Sequence, residues 1–153
     1  MNSFEEILER DGVLVYKTRG RSMEPLLREG RDLVIIRKPD GPLKRFDVAL
    51  YRRGDQYVLH RVIKTEEDRY LIRGDNTYQL ETVPCKAVIG VVKAFKRRGR
   101  DIDASNRLYG LYTRFWNFIY PLRHAWFRLV NGLKGAARKL GITLLLKKLL
   151  RHE

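Results

Sequence analysis

Residues 46–64 read FDVALYRRGDQYVLHRVIK and decide the fold class of this chain. Two runs rich in Val, Leu, Ile and Tyr, 46–52 and 57–64, lie on either side of the polar turn Arg53-Gly54-Asp55. Such runs predict strands, and so short a link predicts antiparallel pairing, because parallel strands need a crossover helix between them. We therefore expect antiparallel β structure around this segment.

Similar strand-like runs lie before and after this segment, at residues 13–18, 32–38, 69–73 and 87–96. Polar turn clusters separate several of them, and a short helical pattern over residues 4–10 ends at Asp11-Gly12. The sequence predicts a mainly β protein, with a compact antiparallel β domain in residues 1–97.

From Asn106 onward the apolar period becomes helical. Pro121 predicts a kink, and residues 136–151 predict a second basic amphipathic stretch. We therefore expect residues 105–153 to form a basic amphipathic helical extension. Its predicted apolar face contains Leu108, Leu111, Tyr112, Phe115, Trp116, Ile119, Leu122, Trp126, Leu129, Val130 and Leu133.

Most of the net charge of +14 lies in residues 93–153, a range that includes this extension. Residues 1–92 hold 17 Lys and Arg against 15 Asp and Glu, a net +2, whereas residues 93–153 hold 15 against 3, a net +12. Basic charge beside Trp, Phe and Leu favours an anionic membrane surface as the partner of residues 105–153. Nucleic acid is the less favoured partner, and packing of the apolar face on the β domain or on a second copy is the alternative.

Composition excludes several classes of protein. Among 153 residues there is one cysteine, Cys85, and there are three histidines, so neither an intrachain disulfide nor a Cys/His zinc cluster is expected. We predict no cofactor and no metal. The acidic start MNSFEEILERDG does not resemble a signal peptide, and charged residues interrupt the apolar C-terminal segment. We expect a cytoplasmic protein with peripheral membrane association and no conventional transmembrane span.

Three short patterns carry residues suited to acyl-transfer chemistry. They are Gly20-Arg21-Ser22-Met23-Glu24-Pro25, Leu59-His60-Arg61-Val62 and Arg73-Gly74-Asp75-Asn76. Ser22 follows a predicted strand at a position where a short helix could begin, and backbone N–H groups at such a place can stabilise an oxyanion. His60 lies in an apolar strand, and a neutral imidazole can take a proton from a serine hydroxyl. Considered singly, Ser22 could be a helix N-cap, His60 a structural histidine and Asp75 the start of an Asx turn.

Taken together, these patterns resemble the signal peptidase I family, in particular its archaeal and endoplasmic-reticulum branch, which uses a histidine base. The resemblance covers residues 13 to about 95 and extends to the related fold of LexA-type self-cleaving repressors. It implies that Ser22 is the nucleophile, His60 the general base and Asp75 the acidic residue that orients the base. Glu81 stands near the position of a second family acid, so Asp75 or Glu81 could orient His60. Gly20 replaces a serine that often contributes to the oxyanion hole.

The resemblance implies a serine endopeptidase that cleaves leader or signal-like peptides through an acyl-enzyme at a membrane surface. Its substrate would be a peptide or protein with a leader-like cleavage site. One alternative is a self-cleaving repressor, although the family's lysine base and its Ala-Gly or Cys-Gly cleavage site are not found here. Another alternative is a binding module for membrane or nucleic acid that retains the scaffold without activity.

Overall fold

The computed structural model describes residues 3–139. It begins with helix α1, Phe4–Asp11, which Ser3 and Glu6 close with a reciprocal capping box. Gly12 ends the helix in the left-handed conformation, with φ of 68°. Eight strands follow: β1 Val13–Lys17, β2 Leu33–Arg37, β3 Val48–Arg53, β4 Gln56–Thr65, β5 Arg69–Arg73, β6 Glu81–Pro84, β7 Val88–Arg97 and β8 Arg100–Asp103. A single 3-10 turn, Cys85–Ala87, links β6 to β7.

The strands form one antiparallel sheet in the order β1-β2-β7-β3-β4-β5-β6, with β8 paired to β7. The predicted mainly β, antiparallel fold with C-terminal helices is therefore confirmed. The sequence analysis missed β6 and β8. Both have only four residues, and the sequences ETVP and RDID lack the apolar alternation that marks a strand.

Side chains on the two faces of the sheet build two apolar clusters. One is centred on Leu8, Leu14, Leu27, Ile36 and Leu50, and so joins α1 to the sheet. The other is formed by Leu43, Ala49, Tyr51, Val62, Tyr70, Ile72, Val83 and Val91. Because side chains alternate along a strand, β3 contributes to both clusters and places neighbouring residues on opposite faces.

Two helices follow the sheet, α2 at Arg107–Phe118 and α3 at Tyr120–Lys139. The first compact unit extends to Arg114, beyond residue 97, where the sequence analysis ends the β domain. The reason is that Tyr109 and Tyr112 of α2 pack against the first apolar cluster, and the Tyr109 ring meets the Phe95 ring edge-on at 5.2 Å.

The second compact unit begins at Phe115, and the described chain ends in α3 at Lys139. Most of the predicted second amphipathic stretch, 136–151, lies outside the described residues. Within the described range, none of the helices combines the length and the apolar composition needed to cross a lipid bilayer.

Candidate active site

The β3–β4 hairpin positions His60. Its tight turn pairs Arg53 with Gln56, and this register places His60 of β4 opposite Ala49 of β3. Tyr51, two residues along β3, therefore lies on the same face of the sheet as His60. His60 is only 5% exposed, so its imidazole is held in a rigid, largely dry environment.

The Nδ1 side of the imidazole faces a tyrosine and a carboxylate. Nδ1 lies 3.2 Å from the Tyr51 hydroxyl and 3.3 Å from Oε1 of Glu81. The Tyr51 hydroxyl itself donates to Oε2 of Glu81 at 2.9 Å. The Tyr51 proton takes part in that bond and is not available to Nδ1. The arrangement therefore favours the tautomer in which Nδ1 carries the proton, directed at Glu81, and Nε2 is unprotonated.

Arg53 completes this group. Its Nη1 donates to both oxygens of Glu81 at 3.1 Å, while its side chain remains about half exposed. The guanidinium and the Tyr51 hydroxyl thus fix the carboxylate that faces His60.

Burial is the main influence on the charge of His60, and it lowers the pKa of the imidazole below its ordinary value. The Glu81 charge opposes this shift, Arg53 adds to it, and Asp75 makes a smaller opposing contribution. The net direction is downward, so His60 is neutral at neutral pH. Burial also raises the pKa of the Tyr51 phenol, with the Glu81 bond acting in the same direction, so Tyr51 stays a hydrogen-bond donor.

The loop that carries Ser22 is closed at its base by Thr18 and Asp32. The Thr18 N–H donates to the Asp32 carbonyl oxygen at 3.1 Å, and the Thr18 hydroxyl donates to the Arg28 carbonyl oxygen at 2.9 Å. Buried Met23, Leu26 and Leu27 anchor the middle of the loop in the first apolar cluster. The loop is therefore fixed at both its base and its centre.

The short helix that the sequence would allow at Ser22 does not form. Residues 22–26 form turns instead, with Glu24 N–H bonded to the Arg21 carbonyl oxygen and Leu27 N–H to the Met23 carbonyl oxygen. These isolated bonds do not extend into a regular helix before β2 begins at Leu33. Ser22 is left half-buried at the start of the turn.

The Gly74-Asp75-Asn76 turn holds the Ser22 loop in place. The Asn76 N–H donates to the Ser22 carbonyl oxygen at 2.7 Å, and the Asn76 side-chain amide donates to the Arg21 carbonyl oxygen at 3.2 Å. A Cβ added at Gly74 would lie 2.6 Å from the Ser22 carbonyl oxygen and 3.1 Å from Nε2 of His60. Because Gly74 has no side chain, the Ser22 carbonyl oxygen and the unprotonated Nε2 of His60 can both lie close to it.

The carboxylate of Asp75 pairs with Arg61. Its two oxygens accept bonds of 2.7 Å from Nε and Nη2 of Arg61, whose side chain is completely buried. Nη1 of Arg61 also donates to the Phe46 carbonyl oxygen and to the Tyr109 hydroxyl, each at 2.9 Å. Of the two acids that the sequence leaves open, Glu81 contacts the imidazole and Asp75 forms a buried ion pair beneath the Ser22 loop.

Ser22, His60 and Glu81 line one cleft of about 940 Å³. No hydrogen bond joins the Ser22 hydroxyl to His60 in the described part of the chain, a separation common in ligand-free sites that tighten when substrate binds. Tyr16, Tyr57 and Leu59 also line the cleft, so aromatic and aliphatic side chains lie on it together with polar ones.

Sequence analysis missed Tyr51 and Arg53, although a usable signal existed. The Gly54-Asp55 turn sets the hairpin register, and counting back from it pairs residue 49 with His60 and places residue 51 on the same face. The position of Glu81 could not be found in this way, because β6 reaches His60 only through the sheet order.

Within residues 3–139, no group of three or more His, Cys, Asp or Glu side chains is arranged to hold a metal ion. The candidate site consists of Ser22, His60, Glu81 and their supporting residues, together with the cleft that they line. A scan against protein-family models and a search of curated protein sequences return no match to this chain.

Proposed function

We propose that this protein is a serine endopeptidase with a fold of the signal peptidase and LexA type, which cleaves leader or signal-like peptides. One observation carries the proposal. Nδ1 of His60 faces Glu81 and Nε2 faces the Ser22 loop, and Ser22, His60 and Glu81 line one cleft. This arrangement of nucleophile, base and orienting acid is suited to acyl transfer by serine.

In the proposed reaction, Nε2 of His60 takes the proton of the Ser22 hydroxyl as the oxygen attacks the peptide carbonyl carbon. The C–N bond then breaks, and His60 returns the proton to the leaving amine. Water attacks the resulting ester, again with His60 as base, and releases the acyl group from Ser22. Backbone N–H groups near Ser22 are the proposed donors to the oxyanion.

Glu81 is the proposed orienting residue. Its carboxylate keeps the proton on Nδ1 and stabilises the imidazolium that forms during attack. Tyr51 and Arg53 hold the carboxylate from two other directions, so it cannot rotate away from His60. The buried Arg61–Asp75 pair supports the turn that fixes the Ser22 backbone, which makes Asp75 a positioning residue.

Open strand edges support an extended peptide as the substrate. β1 is at one end of the sheet order, and β4 pairs with β5 only from Arg61 onward, so residues 56–60 pair with no strand on that side within the described chain. Tyr16 of β1 and Tyr57 of β4 line the cleft. A peptide lying there can form main-chain hydrogen bonds while its side chains meet the apolar lining.

The test is labelling of the full chain by a peptidyl fluorophosphonate, which phosphonylates an activated serine without requiring knowledge of the natural substrate. The parent protein should label, and Ser22→Ala and His60→Ala should not. Ser105→Ala is a suitable control because this exposed serine bonds to Asp103, within its own turn. Equal labelling of the parent and Ser22→Ala would refute the proposal, as would a parent that neither labels nor cleaves any leader-like peptide.

A further inference from the structure

An apolar stripe runs along α3 in the second compact unit. Leu122, Trp126, Leu129 and Leu133 are 74%, 67%, 55% and 62% exposed. They follow one another at intervals of four, three and four residues, which places them on one face of the helix. We call this set the α3 stripe. Four large apolar side chains exposed next to one another indicate an interaction surface, because monomeric soluble proteins rarely expose contiguous apolar patches of this kind.

Positive charge lies on both sides of the α3 stripe. At about 100° per residue, Arg123 and Lys134 fall roughly 90° to one side of it, and Arg128 falls roughly 130° to the other. Residues 115–139 contain five Lys and Arg and no Asp or Glu. The Arg123 guanidinium stacks over the Trp116 ring, 3.7 Å from its centroid, so this cation is held close to aromatic surface.

This charge distribution decides between the possible partners. A second copy of the helix would bring cations against cations, with no carboxylate in residues 115–139 to pair with them. Nucleic acid would satisfy the cations but leave the α3 stripe in water, since phosphate contacts are polar. An anionic lipid surface satisfies both, because its headgroups attract the cations and its acyl chains accept the apolar side chains.

We propose that α3 binds the surface of an anionic lipid bilayer, lying in the interface with the α3 stripe inserted and the flanking cations among the headgroups. Lys and Arg stems are long enough to reach the headgroups while the stripe is submerged. This surface is independent of the proposed peptidase chemistry, so either proposal can fail without the other.

Fluorescence of the full chain tests the proposal directly. The chain has two tryptophans, so Trp116→Phe leaves Trp126 as the only reporter. Vesicles of phosphatidylcholine with a quarter phosphatidylglycerol should shift its emission to the blue, and brominated acyl chains should quench it. Pure phosphatidylcholine should bind at least about tenfold more weakly, and added salt should weaken anionic binding without abolishing it.

A paired substitution tests the α3 stripe. Leu122→Gln combined with Leu129→Gln should lower vesicle co-sedimentation about tenfold or more, since two inserted side chains are lost. Val15→Gln combined with Leu80→Gln is the matched control, because it removes two exposed apolar side chains from the first unit. The Ser22→Ala protein should bind vesicles as the parent does, which separates this result from the peptidase test.

Three outcomes would overturn the proposal. The first is unchanged Trp126 emission with anionic vesicles at low salt. The second is equal loss of binding in the stripe variant and in its control. The third is a partner other than lipid: a concentration-dependent dimer that the stripe variant abolishes, or a gel shift with duplex DNA, in either case without vesicle binding.

Discussion

Replacing each candidate acid by its amide separates the proposed orienting role of Glu81 from the proposed structural role of Asp75. In Glu81→Gln, the side chain keeps one oxygen acceptor and gains an NH2 donor, so it can no longer accept both the Nδ1 proton and the bond from the Tyr51 hydroxyl. That hydroxyl, 3.2 Å from Nδ1, can then donate to the ring and move the proton to Nε2. His60 then faces Ser22 with a protonated Nε2, which cannot accept the proton of the serine hydroxyl.

The expected loss for Glu81→Gln is about 10³-fold in the rate of fluorophosphonate labelling, or about 4 kcal/mol in the activation barrier. Thermal stability should change little, because Glu81 is partly exposed and its Arg53 partner is about half exposed. The Glu81 charge raises the pKa of His60, so its loss should also move the acidic fall-off of labelling to lower pH.

Asp75→Asn should act mainly on stability. It removes the charge that pairs with completely buried Arg61, and breaking such a pair costs about 3–5 kcal/mol. A loss of this size lowers the melting temperature by more than about 10 °C in a unit of this length. Labelling of the folded fraction should fall less than in Glu81→Gln, since the imidazole keeps its orienting carboxylate.

The assay combines second-order labelling rates between pH 5 and 8 with thermal unfolding, and uses Glu67→Gln as a control at an exposed acid. The assignment is refuted if Asp75→Asn keeps the parent melting temperature but labels more slowly than Glu81→Gln. If neither variant changes the labelling rate by more than a few-fold, the site operates as a Ser-His dyad and neither acid orients the base.

Two further predictions test the geometry and the charge of the site. Gly74→Ala places a Cβ 2.6 Å from the Ser22 carbonyl oxygen, a backbone atom, so the loop must shift and labelling should fall at least about 10²-fold. Gly41→Ala, which meets nothing within 4 Å, should label as the parent does, and equal rates for the two variants would contradict the close approach. Arg53→Gln removes a charge that lowers the pKa of His60, so the acidic fall-off of labelling should move to higher pH. A fall-off that stays in place or moves lower would show that Arg53 does not act on the imidazole charge.

The structure also changes how the three sequence patterns are understood. The sequence leaves Asp75 and Glu81 open as the acid that orients His60. In the structure the Asp75 carboxylate accepts bonds from Arg61, and Asn76 donates to the Ser22 and Arg21 carbonyl oxygens. The third pattern therefore holds the loop that carries Ser22 in place. We expect substitutions in Gly74-Asp75-Asn76 to change activity by displacing the backbone of Ser22.

Local sequence predicts most of the helices and strands of this protein, although not β6 and β8. Apolar runs and polar turns place most of the strands to within one or two residues, because alternation and turn chemistry depend on neighbours along the chain. The same is true of the hairpin that presents His60, whose register follows from the Gly54-Asp55 turn. The helical period after Asn106, with its basic flanks, is likewise local.

Which acid faces the imidazole depends on the tertiary structure. Asp75 is the nearer candidate along the chain, but β5 directs it to Arg61, and the next strand, β6, brings Glu81 back to Tyr51 and His60. Such contacts depend on sheet order and strand register, which no local pattern encodes. The limit of the first unit was decided in the same way, because Tyr109 packs on the sheet through contacts that only the folded chain creates.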